Sequence, residues 1–97
     1  MEITEISISL REEEKLRAFV NITLNDEFVI RGMKIIKGPT GYFIAMPSRR
    51  MPDGSFKDIA HPITSEFRQK LEKAILTQYQ LVLEDNKRTY KSQEAVY

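Results

Sequence analysis

The residues whose types and spacing could do chemistry are Arg49, Arg50 and Lys57. They lie in the run from Met46 to Ile63, with apolar Tyr42, Phe43, Ile44 and Ala45 before it and Ile59 and Ile63 at its end. Inside it, Met51-Pro52-Asp53-Gly54 reads as a tight reversal, because Pro pre-sets φ at the second turn position and Gly tolerates positive φ. The expected picture is two strands joined by a hairpin whose mouth carries three cations. Arginine stays charged and makes bidentate contacts with phosphate or with guanine, so such a hairpin suits an anionic ligand. The competing reading is a solvated polar hairpin, or ion pairs to Asp53 and Asp58. Lys57, across the hairpin, and Arg68 and Lys70, which open the following helix, form a second tier behind the two arginines, and Lys34 and Lys37 could widen the patch. Backbone N–H groups near Ser65 offer a further phosphate contact.

An enzymatic reading rests on Asp53, Asp58 and His61 as carboxylates beside an imidazole. Asp53 already has an ordinary job in the Pro-Asp-Gly turn, and no nucleophile motif, phosphate-binding glycine loop or metal-ligand spacing accompanies the three. The expectation is therefore a binding protein and not an enzyme, with no cofactor. Zero cysteines and one histidine exclude disulfides and leave zinc only carboxylate ligands or a second chain. Tyr42, Phe43 and Phe56 could stack on bases, but their aliphatic strand neighbours favour a place in the core or in a subunit interface.

The elements that must position these residues follow from periodicity. Ile6, Ile8 and Leu10 alternate with serines, so residues 2–10 read as a strand. After the charged reversal at Arg11 to Lys15, Leu16, Ala18, Val20, Ile22 and Leu24 give the clearest period-2 pattern in the chain. Asn25-Asp26-Glu27 turns into an interrupted strand, Phe28 to Ile30 and Met33 to Ile36, with Gly32 marking a bulge or bend. Tyr42 to Met46 is a fourth strand, stopped by Pro47, and Phe56 to Ala60 a fifth. Thr64 or Ser65 caps the one helix, whose stripe is Phe67, Leu71, Ala74, Ile75, Gln78 and Val82, fading near Glu84 to Asn86. The fold class is α+β, a mainly antiparallel sheet of about five strands with a C-terminal helix on one face. One domain covers residues 1–84, and 85–97 is a variable, flexible tail.

At 97 residues the chain has room for one modest core, and 41% hydrophobic with 30% charged residues suits a soluble globular protein. No apolar run is long enough to span a bilayer and no signal peptide precedes Ile3, so the expected compartment is the cytoplasm, without membrane insertion. Net charge is +1, but it is segregated. Residues 1–30 carry three basic and seven acidic side chains, and residues 31–70 carry eight basic and three acidic. That imbalance points toward an anionic partner unless folding remixes it. One helix cannot cover both faces of the sheet. Phe19, Tyr42 or Phe43 and part of Met33 to Ile36 then need a partner, and a homodimer would supply it.

The central run, from Ala45-Met46-Pro47-Ser48-Arg49-Arg50 through Pro52-Asp53-Gly54-Ser55-Phe56-Lys57-Asp58-Ile59-Ala60-His61-Pro62-Ile63, resembles the signature of the stage V sporulation protein G family. The resemblance extends upstream through Ile22 to Ile30 and downstream into the helix, covering about residues 1–83. Met51 departs from the pattern, where threonine is common, and Lys often stands in place of Arg49. The resemblance implies a dimer built by joining sheets, DNA and RNA binding, and a regulatory role in septation, and in sporulation where that occurs. Carried onto this chain, it favours Arg49, Arg50, Lys57, Arg68 and Lys70 as nucleic-acid contacts. The rival reading is a protein-interaction module that binds division or regulatory proteins.

Overall fold

A computed structural model describes the backbone of residues 1–96 and the side chains through Asp85. Four antiparallel strands form the main sheet in sequential order: β1 (Ile3–Leu10), β2 (Leu16–Leu24), β3 (Phe28–Gly38) and β4 (Gly41–Ala45). A separate two-stranded sheet follows, made of β5 (Ser48–Arg50) and β6 (Phe56–Asp58), and then the helix α1 (Ser65–Val96). The α+β architecture is as the sequence implies. The structure adds a strand: Ser48–Arg50 pairs with Phe56–Asp58 instead of lying in a loop mouth. Three consecutive polar residues after a proline carry no period-2 signal, so this strand is silent in the sequence.

The core fills one face of the main sheet. Ala18, Val20, Ile22 and Leu24 point inward from β2, Met33 and Ile35 from β3, and Ile44 from β4, all buried. Leu71, Ile75 and Tyr79 meet them from α1, with Phe67, Leu76 and Leu83 packed around the edge. The helix contact therefore follows every fourth residue from Phe67 to Leu83. Tyr79, which sequence periodicity leaves on the flank, is 1% exposed, whereas Gln78 and Val82 are only half-buried. Its ring meets Tyr42 edge-on at 5.5 Å, and its hydroxyl faces Arg17, whose guanidinium pKa it raises. A phenol can be buried when its oxygen finds such a partner.

Local chemistry explains the turns. Asn25 and Asp26 take φ of 51° and 54°, and Glu27 N–H donates to the Leu24 carbonyl at 2.9 Å, a mirror-image hairpin turn that short polar side chains tolerate. Gly32, with φ of 85°, sits where the β2–β3 register slips between Val20 and Ile22, so the expected bulge is present. Thr64 Oγ1 accepts from the Phe67 N–H at 3.2 Å and caps α1. The helix does not fade near Glu84 to Asn86, as its sequence pattern implies, but runs on to Val96. Side chains from residue 86 onward lie outside the described residues, and with them the expected flexibility of the 85–97 tail.

Among the described residues, the sheet face away from α1 is left uncovered. It carries Phe19, Ile36 and Phe43, with Phe43 49% exposed and Phe19 under the Arg11 guanidinium at 5.0 Å. Met33 and Ile35, by contrast, are fully inside and need no further partner.

Candidate nucleic-acid interface

The β5–β6 ribbon is an arm standing outside the core. Every residue of its two strands is exposed. Its tip is the Met51–Ser55 turn: Gly54 N–H donates to the Met51 carbonyl at 2.9 Å, and Met51 N–H to the Ser55 carbonyl at 2.7 Å. Gly54 takes φ of 90°, the conformation a bulged hairpin turn requires of this position. Asp53 accepts from the Ser55 hydroxyl at 2.6 Å and from the Ser55 backbone N–H at 2.9 Å. The base of the arm is closed by Ile59 N–H donating to the Pro47 carbonyl at 2.7 Å.

Those bonds to Asp53 hold its carboxyl below the ordinary carboxylate range, the Ser55 hydroxyl contributing most. A depressed folded value means that the turn is stabilised at neutral pH and loses that contribution as pH falls through it. Acidification below the ordinary carboxylate range should therefore speed amide exchange at Ser55 relative to the main sheet. An unchanged ratio of the two rates would show that the carboxylate does not hold the turn.

Register divides the ribbon into two faces. Arg49 lies directly opposite Lys57, and Arg50 directly opposite Phe56, with Ser48 opposite Asp58. Side chains alternate along a strand, so Arg49 and Lys57 share one face, and Ser48, Arg50, Phe56 and Asp58 share the other. Like charges directly opposite on two strands are destabilising. Among the described residues none forms an ion pair or side-chain hydrogen bond with Arg49, Arg50 or Lys57. The turn carboxylate of Asp53 is engaged with Ser55, and Asp58 belongs to the opposite face from Arg49 and Lys57. One face of the arm is thus a cationic pair without internal compensation, a geometry that an anion bridging two side chains would relieve.

The remaining predicted contacts are arranged differently. Arg68 is half-buried in the first turns of α1, and Lys70 donates from Nζ to the Met1 carbonyl at 3.1 Å. Between the arm's base and the helix start lies an apolar cavity of about 370 Å³, lined among others by Met33, Met46, Pro47, Pro62 and Phe67. The arm and the helix start are therefore separated by apolar surface and do not form one basic strip. Lys34 pairs with Ala45 beside the arm, whereas Lys37 pairs with Tyr42, three positions further away. Sequence reasoning passed over Arg31. It adjoins Gly32, where an added Cβ would meet that of Pro47 at 4.0 Å, so the bulge brings an exposed arginine to the arm's base. A glycine inside a strand beside an arginine was the available signal. His61 is exposed with Nδ1 3.0 Å from the Pro62 carbonyl.

The whole of this arrangement, through the middle of α1, falls inside residues 1–81, which match the SpoVG family model. The chain belongs to the SpoVG family. Among its relatives, a protein of Anaeromyxobacter sp. (strain Fw109-5) named "Putative septation protein SpoVG" is 56% identical over 79 residues, covering 81% of each chain. Proteins of the same name from Clostridium novyi (strain NT) and Caldanaerobacter subterraneus subsp. tengcongensis are 52% identical over 83 residues and 49% identical over 87. The first covers 84% of this chain and 83% of its own, the second 89% and 96%. The SpoVG match thus takes in the full main sheet, the arm and the helix through Leu81. No helix among the described residues is long and apolar enough to cross a membrane.

Proposed function

We propose that this SpoVG protein is a small cytoplasmic regulator that binds DNA and RNA as a homodimer and acts in cell-division septation, and in sporulation where the organism sporulates. It works by binding and not by turnover. The observation that carries this reading is the Arg49–Lys57 pair, two unneutralised cations facing each other across an exposed ribbon. Phosphate oxygens lie between such side chains and remove their repulsion, and a two-stranded ribbon is a shape that nucleic-acid grooves admit. Arg50 extends the positive charge to the other face. Each copy carries one arm, so a dimer presents two and gains by holding both to one polymer. The uncovered Phe19, Ile36 and Phe43 surface supports dimerisation. The link to septation rests on the names of the relatives.

Titration of labelled duplex DNA and single-stranded RNA with wild type and with Arg49→Ala/Arg50→Ala tests the assignment. Wild type should bind and the variant should fail, with the sedimentation coefficient of the free protein unchanged. Retained binding by the variant would move the site away from the arm. Failure of the wild type to bind either polymer at low salt would favour the second reading, a protein-interaction module in septum regulation. The observation on that side is the same uncovered sheet face, which a division protein could occupy.

A further inference from the structure

We propose that Phe56 is a stacking platform for an unpaired base, so that the arm takes single-stranded nucleic acid in preference to duplex. This deepens the nucleic-acid reading above and rests on it. Phe56 is 70% exposed, and no ring or cation lies against it among the described residues, where the aromatic contacts are Tyr42 with Tyr79 and Arg11 with Phe19. The structure thus removes Phe56 from the core, one of the two places, core or subunit interface, that its strand pattern favoured. Its neighbours on the same ribbon face are Ser48, Arg50 and Asp58, all polar and all exposed. A lone aromatic framed by polar groups is a poor start for a protein interface, whose centre needs contiguous apolar area. It is a good start for a base, which offers a flat π-face ringed by donors and acceptors.

The two faces of the ribbon carry different charge. Arg49 and Lys57 make one face purely cationic, fit for phosphates. The face with Phe56 includes the Asp58 carboxylate, which repels phosphate but accepts hydrogen bonds from base amino groups, while Arg50 donates to base acceptors. The two sets point to opposite sides of the ribbon, so one ligand reaches both only by passing around the ribbon's edge, which a pliant single strand can do with its bases splayed out. A duplex keeps its π-faces inside its own stack and presents only edges, so Phe56 has nothing to stack on there. An unpaired strand presents both.

The chain contains no tryptophan, so Phe56→Trp places a single reporter at the platform. Wild type, Phe56→Leu and Phe56→Trp are titrated with a labelled mixed-sequence oligonucleotide and with the duplex formed by its complement, and sedimentation reports oligomeric state. Wild type should favour the single strand, and Phe56→Leu should lose about tenfold in single-strand affinity with little change for duplex. Phe56→Trp should retain the preference, and its fluorescence should be quenched by the single strand and not by the duplex. An unchanged single-strand affinity in Phe56→Leu, or unquenched fluorescence in Phe56→Trp, overturns the platform while leaving the Arg49 and Lys57 phosphate site standing. A parallel loss for both polymers together with a change in oligomeric state would make Phe56 a subunit contact instead. Wild type that binds neither polymer removes the nucleic-acid reading itself.

Discussion

Arg49→Ala/Lys57→Ala should bind nucleic acid roughly a hundredfold or more weakly than wild type while folding at least as well, because hydrogen bonds to charged groups contribute about 1.5–3 kcal/mol each and two are removed. The second half of the expectation is the more telling. Surface charges that serve the fold lose stability when removed, but Arg49 and Lys57 oppose each other across the ribbon with no acid on their face. Directly opposed like charges cost a sheet on the order of 0.2–1 kcal/mol, so their removal relaxes the arm. Binding by anisotropy and unfolding by heat, read on the same preparation, check both halves. A variant that binds poorly because it has unfolded would show a lowered Tm. A variant that keeps its affinity would place the phosphates elsewhere, with Arg31 and Lys34 at the arm's base next in line.

Ile75→Ala should destabilise the fold by about 2–5 kcal/mol, the usual range for emptying a buried aliphatic site. Ile75 is 0% exposed and sits midway along the helix stripe, between Leu71 and Tyr79, in the same buried cluster as Ile22, Met33 and Ile35. A domain of this size holds about 5–15 kcal/mol in all, so the substitution removes a large share. At about 4–8 °C per kcal/mol for small domains, the midpoint should drop by roughly 8–40 °C. Thermal melting followed by circular dichroism measures it. A drop of only a degree or two would mean that α1 is not seated on the sheet, and the core described above would be wrong. The arm stands outside this core, so at low temperature the variant should still bind nucleic acid.

Much of this was legible in the sequence where burial imposes a period. Leu16 to Leu24 alternates because one face of β2 is packed and the other is not, and the inward set Ala18, Val20, Ile22 and Leu24 is the buried one. Gly32 announced the bulge because a glycine inside a strand pattern marks where the backbone takes a positive φ. The arm was harder to read. Its residues are exposed on both faces, so no alternation marks β5, and Arg49 and Arg50 looked like a loop mouth although they are strand residues. Phe56 looked like core or subunit interface because sequence shows neighbours along the chain and not the ribbon's separation from the sheet. Tyr79 was left on the helix flank because its burial depends on Arg17 and Tyr42, two residues distant in sequence that meet its hydroxyl and its ring. Among the predicted contacts, Lys70 differs for a similar reason: its partner, the Met1 carbonyl, is 69 positions away.

The most direct test of the central claim, that the arm holds phosphates through Arg49 and Lys57, is the salt dependence of binding. Affinity for a labelled single-stranded oligonucleotide is measured across a series of salt concentrations for wild type and for Arg49→Ala/Lys57→Ala. Each phosphate neutralised releases counterions, so the logarithm of affinity falls with the logarithm of salt by about 0.7 per contact on single strands. The variant's slope should be shallower by roughly 1.4, two contacts' worth, and by twice that if both arms of a dimer engage one strand. Parallel slopes for the two proteins would contradict it, since the side chains removed would then have been touching no phosphate.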